Sequence, residues 1–323
     1  MVSDAEMDKK FDIVSIGIIA YDTILRTVDE SVFSRDTTVL SSVKSSVGGN
    51  AMIQSLTAAT LGARAAIAGK VSDDILGRAC LETLDKAGVD RTYLRLSEKD
   101  EMLQSFALVR PDGSRHFLGY PGTNNRTLSL EDLDLTVLEE SKIVSYGNFF
   151  WLNELDKGGC TELFRRAQKA GALTAADCSD DSFGEGAETV LKNLPYIDFF
   201  IPSRVEAEYV SGEKDPEKMA DRLFARGCRN LVIKMGEKGC YVNTGKEDRM
   251  IPAFSVDHCV DTTGAGDSFV GGFLTGIAEG MNIFDAAELG CAAGAVSVTA
   301  EGGFAALKSR EQADCLIRAR KGF

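Results

Sequence analysis

Histidine, basic residues and long apolar runs are all scarce in this chain of 323 residues. Its two histidines, His116 and His258, leave little room for histidine-based catalysis. The 36 lysines and arginines stand against 49 aspartates and glutamates, a formal charge of −13. Nucleic-acid binding is therefore not expected, because its affinity comes mostly from cations that neutralise phosphates. No run reaches the roughly 18 apolar residues that a membrane helix needs, so we expect no membrane partner.

The cysteines show no spacing typical of a metal or redox motif. All eight lie outside any CxxC pair, and neither histidine stands at a zinc-ligand spacing from one of them. Most lie in apolar runs, where a free thiol behaves as a small hydrophobic side chain. The first twelve residues contain no apolar segment of a secretion signal. Free thiols without such a signal predict a cytoplasmic location.

Two common nucleotide-binding motifs are also missing. A nicotinamide dehydrogenase needs GxGxxG after its first strand, where this chain has GIIAYD at residues 17–22. A P-loop kinase needs GxxxxGK[ST], and no such string occurs in the sequence. We therefore exclude both of these classes.

Strand and helix patterns alternate along most of the chain. Short apolar runs, beginning with Phe11–Gly17, are separated by helical patterns, an order typical of a parallel sheet with helices on both faces. The segments Gln104–Val109 and Arg115–Tyr120 flank a turn at residues 111–114 and so predict a hairpin. We predict one α/β domain over residues 1–323 with a small β insertion.

The most informative segment is DTTGAGDSFVGGF at residues 261–273. Its small residues would leave backbone N–H groups free to bind phosphate where a helix begins. The carboxylate of Asp267 would repel that phosphate, unless it takes a proton from a hydroxyl that attacks phosphorus. The alternative is a tight turn with Asp267 as the N-cap of the helix. That alternative does not account for all thirteen residues of the string.

The same string resembles the carboxy-terminal signature of the ribokinase-like (PfkB) carbohydrate kinases. Five further strings occur in the order known for that family, namely GIIAYD, VGGNA, AGKVSDDILG, IPSRVEAE and IKMGEKG. The resemblance implies a ribokinase-like three-layer α/β/α domain with a mainly parallel central sheet and a small β-sheet lid. The lid would be discontinuous, formed by residues 23–46 and 93–120, and would exclude water from the site when closed.

The resemblance also implies an activity. The protein would be an ATP-dependent, Mg²⁺-requiring kinase that phosphorylates a hydroxymethyl group of a small sugar or sugar acid. Asp267 would be the general base. Gly264, Ala265 and Gly266 would form an anion hole together with the start of the following helix.

A second group of residues is implied to bind the substrate. Asp22 would accept hydrogen bonds from two hydroxyls, and Gly48, Gly49 and Asn50 would form a loop close to the sugar. Taken alone, Asp22 is equally typical of a turn, and Asn50 of a helix N-cap. The chain departs from the family at Ile53, where asparagine is usual.

A further departure is Ser72, where the family has glycine. We expect these two replacements to bear on the identity of the sugar rather than on the reaction.

The nucleotide and Mg²⁺ would be bound by two other motifs. Glu206 would hold Mg²⁺ through water, and Ser203 stands where the family has asparagine. The alternative is a capping box, because Ser-x-x-Glu also stabilises the start of a helix. Gly236 and Gly239 would form the nucleotide-binding turn. Lys234 would either reach a nucleotide phosphate or end a strand in water.

The resemblance leaves three further expectations. Asp261 and Thr263 match positions that bind a monovalent cation, such as K⁺, in some members. The lid strands often pair between subunits, which implies a homodimer. The function alternatives are a nucleoside kinase of the same family and a non-catalytic sensor of sugar or nucleotide.

Overall fold

Thirteen strands and ten α-helices make up the fold of the computed structural model, which describes residues 9–112 and 114–322. The strands, in chain order, are β1 (Phe11–Ile16), β2 (Ala20–Arg26), β3 (Ser42–Gly48), β4 (Ala65–Ser72), β5 (Asp90–Ser97), β6 (Leu103–Val109), β7 (Arg115–Tyr120), β8 (Ser141–Phe149), β9 (Leu173–Cys178), β10 (Phe199–Phe200), β11 (Leu231–Lys234), β12 (Cys240–Asn243) and β13 (Asp248–Ile251). The helices are α1 (Asn50–Thr60), α2 (Ile75–Ala87), α3 (Thr136–Glu139), α4 (Cys160–Lys169), α5 (Glu188–Leu191), α6 (Arg204–Ser211), α7 (Pro216–Phe224), α8 (Ala265–Ala278), α9 (Ile283–Ser297) and α10 (Arg310–Lys321). No helix in these ranges has the length and apolarity to cross a bilayer.

Nine strands form one large sheet in the order β13-β12-β11-β10-β9-β8-β1-β4-β5. Only β12 and β13, at one edge, are antiparallel to their neighbours. The central strands β1, β4 and β8 are buried along almost their whole length, as expected for parallel strands covered on both faces. The alternating strand and helix patterns predicted this architecture correctly.

Successive residues of the central strands pack into two different cores. In β1, Val14 joins the core formed with α3, α4, α6 and α7, whereas Ile13 joins the core formed with α1, α2, α8 and α9. In β8, Val144 and Ile143 divide in the same way. Adjacent side chains of a strand point to opposite faces, so each strand contributes to both cores. The predicted three-layer α/β/α arrangement is confirmed.

The remaining four strands form a separate small sheet in the order β3-β2-β6-β7. Its hairpin, β6 with β7, pairs Gln104 with Tyr120 and Val109 with Arg115, as predicted. Gly113 of the predicted turn lies outside the described residues. All six residues of β7, an edge strand of this sheet, are exposed.

The predicted boundaries of the small sheet were partly wrong. Residues 93–97 belong to β5 of the large sheet, where Tyr93 lies opposite Ala68 of β4. Tyr93 is buried against Phe11, with ring centroids 5.9 Å apart, and this apolar contact keeps β5 on the large sheet. The second segment of the small sheet therefore begins at Leu103, and the first spans Ala20–Gly48.

Candidate active site

Asp267 lies in the first turn of α8, at the edge where the parallel strands of the large sheet end. The N-cap of α8 is Gly264, in the left-handed conformation with φ 71°, so the alternative interpretation of Asp267 as the N-cap is wrong. A Cβ at Gly264 would lie 2.6 Å from the Cα of Gly303, which only glycine avoids. The first N–H groups of a helix have no intrahelical acceptor, and Asp267 belongs to that first turn of α8.

Asn50 connects this turn to the first turn of α1. Its side-chain amide donates to Oδ1 of Asp267 at 2.8 Å, and its own oxygen accepts from Asn148 at 3.0 Å. The predicted N-cap role of Asn50 is wrong, since Gly49 is the N-cap and Asn50 is the first helical residue. Sequence reasoning missed Asn148, a buried polar residue near the end of β8.

The two glycines before Asn50 let the backbone pass close to its neighbours. A Cβ at Gly48 would overlap the Asp22 carboxylate, and a Cβ at Gly49, where φ is 93°, would overlap the carbonyl oxygen of Ile18. Asp22 itself lies in β2 opposite Ser46 of β3, rather than in a turn. Gly48 is therefore in contact with Asp22, and Gly49 with Ile18.

Lys234, the last residue of β11, points under the α8 turn. Its ammonium group pairs with the Asp177 carboxylate, and its nitrogen lies 3.7 Å from where a Cβ at Gly266 would stand. Its side chain is only 13% exposed, so the alternative of a strand end in water is wrong. Sequence reasoning missed Asp177, although a charged residue at the end of an apolar strand was a usable signal.

Ser203 and Glu206 form a capping box at the start of α6. The Ser203 hydroxyl accepts from the Glu206 N–H at 3.3 Å, and the Glu206 carboxylate accepts from the Ser203 N–H at 2.5 Å. This alternative is thus confirmed, and it leaves the second carboxylate oxygen of Glu206 outside the cap. Ser203 also forms an isolated bridge with Lys234, which places the capping box beside the α8 turn.

The remaining predicted residues lie in turns around the same edge. Gly236 and Gly239, with φ of 60° and 93°, connect β11 to β12 directly after Lys234. Asp261 accepts from the N–H of Thr263 at 3.0 Å and from its hydroxyl at 2.8 Å, just before the α8 turn. All of the predicted site residues are therefore brought to one region.

The matching family model covers residues 10–310 and is that of the pfkB family carbohydrate kinases. This chain belongs to that family. It is therefore a carbohydrate kinase, a phosphotransferase that acts on an alcohol group. The resemblance drawn from the six sequence strings is confirmed.

Curated relatives of this carbohydrate kinase include plant fructokinases. "Fructokinase-2" of Solanum habrochaites is 31% identical over 272 residues, 80% of this chain and 83% of the relative. "Probable fructokinase-3" of Arabidopsis thaliana is 30% identical over 275 residues, 81% of this chain and 79% of the relative.

Two solved structures share its fold. Arabidopsis ribokinase complexed with ribose and ATP has a TM-score of 0.82 at 20% identity, with 95% of this chain and 99% of that chain covered. Adenosine kinase from Sinorhizobium meliloti has a TM-score of 0.81 at 26% identity, with coverages of 97% and 100%.

A cluster beside Lys234 has the donors of a cation site in this kinase. One ligand atom from each of Asp177, Cys178 and Glu206 lies within 4.8 Å of the other two. Carboxylate oxygens are the ligands that Mg²⁺ prefers, so the two acids fit that ion. Burial raises the pKa of the Cys178 thiol, and the charges of Glu206 and Asp177 raise it further. The thiol therefore stays neutral and is a poor ligand for Mg²⁺.

The charges around the α8 turn shift one another's protonation. Burial raises the pKa of Asp267 to about 6, although Lys234 and the Asn50 hydrogen bond oppose this rise. Burial also raises the pKa of Asp22 to about 6, with further contributions from the Asp267 and Asp261 charges. Burial disfavours the Lys234 ammonium, but Asp177, Glu206 and Asp267 outweigh it and raise the pKa of Lys234. A lysine cation thus stays between three carboxyl groups.

We predict that kcat/KM falls as the pH drops through about 6, because Asp267, in the role of general base expected for it, must be ionised in the free enzyme and its pKa is about 6. The pKa of Asp22 is also about 6, so well below that pH the rate at low sugar concentration should decrease by about tenfold or more per pH unit. Initial rates from pH 4.5 to 8 would measure this dependence. Enzyme held at each pH and assayed at pH 7.5 controls for unfolding, and a rate that stays flat down to pH 5 would contradict the prediction.

Proposed function

We propose that this protein is an ATP-dependent kinase that phosphorylates a hydroxymethyl group of a small sugar or sugar acid, with Asp267 as the general base. The main support is the position of the Asp267 carboxylate in the first turn of α8, bound by Asn50 and close to the Lys234 cation. A carboxylate among phosphate-binding groups has a chemical purpose when it accepts the proton of the attacking hydroxyl.

We infer a different role for each carboxylate oxygen of Asp267. Oδ1 accepts the hydrogen bond from Asn50, which leaves Oδ2 to accept the proton of the sugar hydroxyl. The N–H groups of Gly264, Ala265 and Gly266 would then stabilise the negative charge that develops on the transferred phosphoryl group. Lys234 adds a positive charge under the same turn.

Asp22 would orient the sugar. Its carboxylate lies against Gly48 in the small sheet, and an ionised carboxylate can accept hydrogen bonds from two neighbouring hydroxyls. The small sheet would act as the lid that closes over this region and excludes water, which otherwise competes as the phosphoryl acceptor.

The nucleotide and Mg²⁺ would lie on the other side of the α8 turn. Glu206, with Asp177 nearby, would offer carboxylate oxygens to Mg²⁺ through water. Ser203, Gly236 and Gly239 would lie along the nucleotide phosphates. When bound, Mg²⁺ would neutralise phosphate charge. A location in the cytoplasm stays a prediction.

A nucleoside is the second candidate acceptor, supported by the fold match to adenosine kinase at 26% identity. The fructokinase relatives favour the sugar. Ile53, which stands where the family usually has asparagine, is 1% exposed, and its side chain lies 3.4 Å from where a Cβ at Gly303 would stand. It therefore supports the segment under the α8 turn and favours neither acceptor.

We predict that Asp267→Asn lowers kcat by about 10²–10⁴-fold, because the amide retains the shape of the carboxylate but cannot accept the proton. Calorimetric ATP binding should change little. The matched control is Asp285→Asn, since Asp285 occupies the same third position in the first turn of α9 and should keep full activity. Near-normal turnover of Asp267→Asn would refute the role of general base.

The acceptor is identified in the same assays with fructose, ribose, a 2-keto sugar acid and adenosine. Phosphorylation of a sugar or sugar acid supports the proposal, and phosphorylation of adenosine alone supports the nucleoside kinase. Absence of ATP consumption with every acceptor would support the non-catalytic sensor.

We predict that Glu206→Gln raises the Mg²⁺ concentration for half-maximal rate by about tenfold or more. Stability should change little, because glutamine also completes a capping box. The control is Ser309→Ala in the capping box of α10, which should cost about 1 kcal/mol of unfolding free energy without altering the Mg²⁺ requirement. An unchanged Mg²⁺ requirement for Glu206→Gln, with a lower melting temperature, would leave Glu206 with the capping role alone.

We also propose a homodimer formed through the small sheet, because the edge strand β7 exposes Phe117, Leu118 and Tyr120 by 43–50%. Exposed apolar edge strands favour pairing with another chain. Leu118→Glu should shift the sedimentation coefficient from dimer towards monomer. The control Ile75→Glu changes an 85% exposed residue of α2 and should leave the dimer intact. A monomeric wild-type protein would refute this proposal.

A further inference from the structure

Arg115, the first residue of β7, reaches from the small sheet to the segment that precedes the α8 turn. One guanidinium nitrogen donates to Oδ1 of Asp261 at 2.7 Å and lies 3.4 Å from the Thr263 hydroxyl. The other donates to the hydroxyl of Thr262. A single side chain therefore contacts three consecutive residues.

Asp261 is a buried carboxylate whose two oxygens both have protein donors. Oδ1 accepts from Arg115 and from the N–H and hydroxyl of Thr263, and Oδ2 accepts from the N–H of Gly302 at 3.1 Å. Burial favours the neutral acid, but the N–H groups of Thr263 and Gly302, together with Arg115, lower the pKa of Asp261. The carboxylate is thus ionised, and Arg115 is the basic residue paired with it in the described chain.

The two segments that Asp261 joins determine the shape of the α8 turn. Residues 261–263 lead directly into Gly264, and the segment at Gly302 continues to Gly303, whose Cα is the close neighbour of Gly264. A shift of either segment would move the N–H groups beside Asp267. The position of the Asp261 carboxylate is therefore coupled to the geometry of the predicted anion hole.

A second ionic contact joins the small sheet to the same region. Glu301, next to Gly302, accepts from Arg26 of β2 at 2.5 Å and also pairs with Lys44 of β3. The small sheet thus contacts both segments that flank Gly264, one through Arg115 and the other through Glu301.

The residues around Asp261 do not fit the monovalent cation that the family resemblance implies at Asp261 and Thr263. A cation needs free oxygen ligands, and Oδ1 of Asp261 already faces the positive charge of the guanidinium. A second cation beside it would be repelled.

We infer that Arg115 is a positioning residue whose positive charge holds Asp261 and the α8 turn in their active geometry. Because this charge comes from the chain itself, the kinase needs no monovalent cation. The inference rests on the proposed role of the α8 turn as an anion hole. It also links closure of the small sheet to assembly of the site, because Arg115 lies on β7.

The test compares wild type with Arg115→Ala in K⁺, Na⁺ or tetramethylammonium chloride at equal ionic strength. Wild-type rates should agree in all three salts. The kcat of Arg115→Ala should be about tenfold to a hundredfold lower than that of wild type. The KM for the sugar should change less, because loss of Arg115 displaces the α8 turn and not the sugar site.

The vacated Asp261 carboxylate should then respond to added cations. We expect K⁺, or guanidinium at millimolar concentration, to restore part of the activity of Arg115→Ala, and K⁺ to raise the melting temperature of this variant but not of wild type. Arg115→Lys should retain most of the activity. Arg110→Ala is the matched control, because Arg110 lies in the same hairpin and pairs with the exposed Glu30.

Three outcomes would overturn the inference while the proposed function stands. These are an active wild type that depends strongly on K⁺, an Arg115→Ala variant with unchanged kcat, and a loss of activity that no cation restores. A wild type without any phosphoryl transfer would instead refute the proposed function itself.

Discussion

The hydrogen bond between Asn50 and Asp267 joins the first turns of α1 and α8, although the two residues are 217 positions apart along the chain. Helix α1 begins directly after β3 of the small sheet, and α8 begins after the segment that follows β13 of the large sheet, so the bond forms only where these two parts of the chain pack together. A carboxylate removed from water needs such donors, since burial without them favours the neutral acid. Asn148 holds Asn50 in turn, so the geometry of the site depends on this short chain of amides.

The charge distribution explains how an acidic chain can hold a phosphorylated nucleotide. The net charge of −13 is spread over the molecule, whereas the α8 turn offers backbone N–H groups and the Lys234 cation. Asp177 and Glu206 surround that lysine and keep it protonated. A divalent cation bound by the same carboxylates would reduce their repulsion of phosphate.

Sequence patterns predicted features whose cause is local. Glycine and small residues around Asp267 indicate a turn that exposes N–H groups, and Ser203 with Glu206 indicates a helix start, because both effects act over three or four residues. The boundary at residue 93 was wrong, since strand residues have the same pattern in either sheet. The pairing of β5 with β4, together with the burial of Tyr93 against Phe11, shows which sheet they join.

The sequence by itself determined the fold class and the family, since periodicity and short strings are properties of neighbouring residues. Tertiary structure alone decided that Lys234 pairs with Asp177 and that Arg115 reaches Asp261. These partners are 57 and 146 residues apart along the chain. Long-range ion pairs depend on how strands and sheets pack, and no local pattern specifies which of many charged residues will meet.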